Sequence, residues 1–132
     1  MIKLITQRQA LNSLIVLLAT MLLFHTLVFL QIIPYAIVWA GKIHSLPEME
    51  IFEGISMGVN GFLILVLLIK ANYVGIHIQG KILNAIIWFF VFLFGLNTIG
   101  NLFAKSKFEF YVFTTLTFIS ALLSLRIVIK NE

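Results

Sequence analysis

Between Arg8 and Lys42 the chain runs 33 residues without a charged side chain, and three further stretches are nearly as apolar. No other feature restricts the fold as strongly. A membrane-spanning helix needs about 20 mostly apolar residues, because the hydrocarbon core is roughly 30 Å thick and each residue rises about 1.5 Å. The pattern predicts four spans, near 11–33, 46–69, 82–104 and 108–129. These are continuous runs, not the ten-residue alternations of a barrel, so helices are expected.

Composition agrees. Hydrophobic residues make up 61% of the 132 and charged residues 11%, where a soluble domain averages about 25% charged. The mean hydropathy is +1.11. A soluble enzyme, a secreted scaffold and a disordered tail are all excluded. The fold class expected is all-α: a polytopic integral membrane protein in which an antiparallel four-transmembrane-helix bundle forms a single domain over 1–132.

Local signals refine the spans. Pro34 is expected to bend or end the first helix. Ser45, Pro47 and Glu48 supply an N-cap, an early proline and an acidic first turn for the second. The first uncharged run far exceeds the roughly 7 to 15 residues of a signal-peptide core, so it is expected to be kept. Connections of about a dozen residues or fewer leave no room for a soluble domain.

Orientation follows from lysine and arginine in the short flanks. Four spans put both termini on one side, with Lys3, Arg8, Lys70, Lys81, Arg126 and Lys130; the other side holds Lys42, Lys105 and Lys107. Glu48, Glu50, Glu53 and Glu109 distribute inversely. Both termini are therefore expected in the cytoplasm and the chain in the plasma membrane. The net charge of +4 is scattered singly among apolar runs, which marks topology and no nucleic-acid face.

Polar side chains at membrane depth cost several kcal/mol unless partnered, so their positions are informative. They gather in the half away from the termini: His25, Thr26 and Gln31 on the first helix; Glu53, Ser56 and Asn60 on the second; Asn97, Thr98 and Asn101 on the third; Thr114, Thr115 and Thr117 on the fourth. The terminal half is poorer, and 62–69 is apolar without interruption. At about 100° per residue, Glu53, Ser56 and Asn60 share a wedge of roughly 60°. Asn97 and Asn101, at i and i+4, share a face fit to clamp a neighbouring helix or a ligand oxygen. Gly54, Gly58 and Gly61 form a small-residue strip containing a GxxxG spacing, expected to pack closely on a helix of this chain or of another subunit. Thr117, Ser120 and Ser124 read as packing surface, their hydroxyls bonded back to helix carbonyls.

Two ionisable groups lie within the spans. Glu53 is either a solvated carboxylate favouring the start of its helix or a buried proton carrier. His25 lies about 120° away from the Ser13, Thr20 and Gln31 stripe, so its partner should come from another helix; should it meet Glu53, the pair could hold a proton or a cation.

Other chemistry fails for want of parts. With no cysteine there is no disulfide or thiolate site. His44 and Glu48 offer two metal ligands where three are needed, and no hydrolase, phosphate-loop or dinucleotide motif occurs. Tyr35, Trp39 and Tyr111 read as interfacial aromatics. No cofactor is expected, and no paired acid–base set argues for an enzyme. The reading is a non-cytoplasmic polar pocket of Glu53, Asn60, Asn97, Asn101 and His25 binding a small polar ligand, a lipid headgroup or a cation. The alternatives are an oligomeric proton-coupled carrier, disfavoured within one copy by the apolar 62–69 stretch, and a non-catalytic subunit or assembly factor docked on a larger membrane partner.

Overall fold

The computed structural model describes residues 5–34, 45–103 and 107–129, with the backbone alone for Glu109. Tyr35, Trp39, Lys42, His44 and Lys105 lie outside these residues, as do Lys3, Lys130 and Glu132. Four helices are long and apolar enough to cross a membrane, and no strand occurs among the described residues. They are α1 (Gln7–Phe29), α2 (Leu46–Lys70), α3 (Gly80–Leu102) and a fourth that opens with a π turn (Glu109–Phe113) and continues as α4 (Thr114–Val128).

α1 starts and stops about four residues before its expected limits, for two local reasons. Thr6 and Gln9 form a reciprocal capping box at its start. At its other end Gln31 takes a left-handed backbone (φ 65°), its N–H reaching the Val28 carbonyl and that of Ile32 the Leu27 carbonyl. This Schellman arrangement closes the helix, so Pro34 is not the terminator. α2 ends the same way, with Asn72 left-handed (φ 63°) and Tyr73 N–H on the Leu68 carbonyl. It begins at the expected cap, where the Ser45 hydroxyl accepts from the Glu48 N–H at 3.4 Å. α3 lies two residues earlier than expected, and the π turn has no counterpart in the sequence reading.

Two apolar clusters hold the helices together. The larger takes Leu14 and Leu18 from α1, Leu63 and Leu67 from α2, Ile87 and Phe90 from α3, and Ile127 from α4. The apolar 62–69 stretch thus packs inward through Leu63, Val66, Leu67 and Ile69 while Phe62 and Leu65 face outward. The second cluster centres on Val28, Met49 and Phe113, with Phe24, Phe52 and Leu116 against it. It contains no α3 residue. α3 packs mainly on α4, and α2 on α1, so α2 and α3 touch only sparsely.

The end carrying Ile5 and Ile129 is more polar than the sequence reading allowed. Gln7 Nε2 donates to the Ile127 and Ile129 carbonyls at 3.0 and 3.1 Å, and Arg126, 1% exposed, donates from Nε to the Ile5 carbonyl at 2.8 Å. Arg8 Nη1 reaches the Ala71 carbonyl at 2.8 Å, and Lys70 Nζ donates to Asn84 Oδ1 at 2.7 Å. Basic and amide side chains here satisfy carbonyls that helix ends leave open.

Candidate functional site

The site begins with register. His25 lies four residues before the end of α1 and Glu53 seven after the start of α2, so packing α1 on α2 brings both to similar depth. His25 Nδ1 and Glu53 Oε2 are 2.5 Å apart. The Glu53 side chain is 0% exposed and that of His25 13%. Two lone pairs cannot face each other at this separation, so a proton lies between them, on the imidazole nitrogen or on the carboxyl oxygen.

An aromatic wall lies on the His25 side of the pair. Phe24 meets the His25 ring edge-on at 5.8 Å between centroids, and also contacts Phe113 at 5.1 Å and Phe108 at 5.9 Å. Phe108 and Phe113 in turn lie 5.3 Å apart. Five positions separate them, a spacing that an α-helix splays to different faces and a turn with i→i+5 hydrogen bonds brings together. The π turn is therefore what closes the aromatic wall beside His25. Thr26 adds a weak tie between α1 and α2, its hydroxyl reaching the Leu22 carbonyl at 2.8 Å and Met57 Sδ at 3.5 Å.

The remaining expected site residues are placed elsewhere. Asn60 donates to the Ser56 carbonyl of its own helix at 2.8 Å. Asn97 is exposed. Asn101 faces α4 and approaches Thr117 Oγ1 at 3.5 Å, where Thr98 Oγ1 also donates at 2.9 Å. The α3–α4 clamp is thus made by Thr98 and Asn101, one helical step around from the Asn97–Asn101 pair. Of the five, only His25 and Glu53 are brought together; the amides serve separate contacts, and no single pocket collects them.

The glycine strip has no close neighbour among the described residues. A Cβ on Gly54, Gly58 or Gly61 would meet nothing within 4 Å, so the close helix neighbour expected of this spacing is not supplied by the described chain. On α4, Thr117 and Ser120 bond back to the Phe113 and Leu116 carbonyls as expected, whereas the buried Ser124 hydroxyl has no partner.

Sequence reasoning missed the three phenylalanines and Arg126. Nothing in the sequence marks Phe108 and Phe113 as a pair, because their register depends on the π turn. Arg126 reads as a solvated flank until α1 folds over it. Among the described residues no three His, Cys, Asp or Glu side chains gather to hold a metal ion. No known protein family, curated protein or solved structure matches the chain.

Proposed function

We propose that the protein is a multi-pass plasma-membrane protein, its four helices antiparallel and both termini cytoplasmic, which binds a small polar or cationic ligand at the His25–Glu53 pair in its outer half. The observation that carries the reading is the pairing of a fully buried carboxylate with an imidazole at 2.5 Å inside two apolar helices. Burying such groups costs several kcal/mol per ion, a penalty a merely structural contact avoids by using apolar residues. The excess of basic residues near the termini supports the orientation.

Difference infrared spectroscopy of the protein in lipid nanodiscs tests this. On addition of sodium ions a shift of a carboxylate band is expected in the wild type and absent from Glu53→Gln, with the imidazole signal altered in the same variant. A spectrum unchanged by the substitution removes Glu53 from the chemistry.

One observation favours a second reading, a subunit or assembly factor: the outward, uncovered Gly54–Gly58 face of α2. It makes no demand on Glu53. Purification in mild detergent separates the two, since a stoichiometric partner lost in Gly58→Leu supports docking.

A further inference from the structure

We infer that the groove between α1 and α4 is a binding site for an anionic glycerophospholipid, with its phosphate at Arg8 and one acyl chain along α1. The inference rests on the membrane insertion proposed above and concerns the terminal end, away from His25 and Glu53. The groove is open-sided, about 520 Å³ in volume, and is lined by residues that include Asn12, Val16 and Thr20 of α1 and Ile119 and Leu123 of α4. From Asn12 to Thr20 it runs eight residues, about 12 Å, close to the roughly 15 Å depth of one leaflet. Its walls are mostly aliphatic, which suits a hydrocarbon chain.

The polar head of the groove is built on the same helix. Arg8 precedes Asn12 by one turn and is exposed. Its guanidinium stacks 5.2 Å from the Tyr73 ring centre while Nη1 holds the Ala71 carbonyl, so the side chain is fixed with donors to spare. The Tyr73 hydroxyl donates to Asn12 Oδ1 at 2.5 Å, which joins the cation to the mouth of the groove. The described carboxylates, those of Glu48, Glu50 and Glu53, all lie at the other end. Charge therefore selects an anionic headgroup, and a basic pocket between helices on the cytoplasmic face is a known physical solution for lipid phosphates.

The test uses the protein reconstituted in vesicles containing chain spin-labelled phosphatidylglycerol or phosphatidylcholine, with the motionally restricted lipid read by electron paramagnetic resonance. The wild type is expected to prefer phosphatidylglycerol. Arg8→Gln should lower that preference about fivefold, the effect of one cation beside anionic lipid, and Arg8→Lys should keep it. Val16→Trp fills the groove and should reduce the restricted fraction of both lipids. Added glycerol phosphate should not displace the labelled lipid; displacement would mean a site for free phosphate and overturn the lipid assignment. Equal preference in wild type and Arg8→Gln, or an unchanged restricted fraction in Val16→Trp, would also overturn it. Alkaline carbonate extraction of the same vesicles reports insertion separately, so a failure of the membrane reading is told apart from a failure of the lipid site.

Discussion

His25 and Glu53, 28 positions apart on two different helices, share one proton across 2.5 Å, with Phe24 of the second apolar cluster packed on the imidazole. Removing either side chain breaks a buried polar pair, which typically costs about 3–5 kcal/mol. His25→Leu and Glu53→Leu should each lose stability on that scale. The double variant should lose less than the sum of the two, by a coupling of about 2 kcal/mol in a cycle measured by reversible unfolding in mixed detergent. Additive losses would mean the two side chains act independently.

The α3–α4 clamp centres on Thr117, whose hydroxyl takes bonds from Thr98 and Asn101. Thr117→Val keeps the shape and deletes the acceptor, so a loss of about 1 kcal/mol is expected. Asn97→Leu, on the exposed side of α3, should stay within about 0.5 kcal/mol of wild type. The same unfolding assay ranks the two, and the reverse order would restore the Asn97–Asn101 pair as the clamp.

Gln31 occupies a left-handed position that costs an L-residue with a long side chain roughly 1–2 kcal/mol. Gln31→Gly should therefore stabilise the end of α1 by about 1 kcal/mol. Asn72, in the equivalent place on α2, tolerates this backbone better, and Asn72→Gly should gain less. Thermal unfolding of both variants checks the order.

Phe113 is the buried member of the aromatic wall and contacts both Phe24 and Phe108. Phe113→Ala should cost about 3 kcal/mol through the cavity it leaves. It should also speed hydrogen exchange at the Phe24 and His25 amides, read by mass spectrometry, while exchange around Leu63 and Ile87 in the other cluster stays unchanged.

Much of the fold could be read from the sequence, because the length of an apolar run and the chemistry of a helix cap are local quantities. The four helices and the Ser45 cap of α2 follow from them. The site was legible in part: Glu53 and His25 stand out by cost alone, since each is polar where polarity is expensive. What they touch depends on how far α2 slides along α1, which no local pattern specifies. The same dependence explains Asn97, where a rotation of one residue about α3 decides whether it or Thr98 meets Thr117. The π turn shifts register by one residue within the aromatic-rich stretch 108–113, and nothing in that stretch marks where the extra residue goes.

Solid-state NMR on protein carrying ¹⁵N-histidine and ¹³C-glutamate in lipid bilayers tests the pairing most directly. A strong dipolar contact between the His25 ring nitrogen and the Glu53 carboxyl carbon is expected, lost when Glu53 becomes glutamine with the helices otherwise intact. Absence of that contact in the wild type would contradict the shared proton and the site built on it.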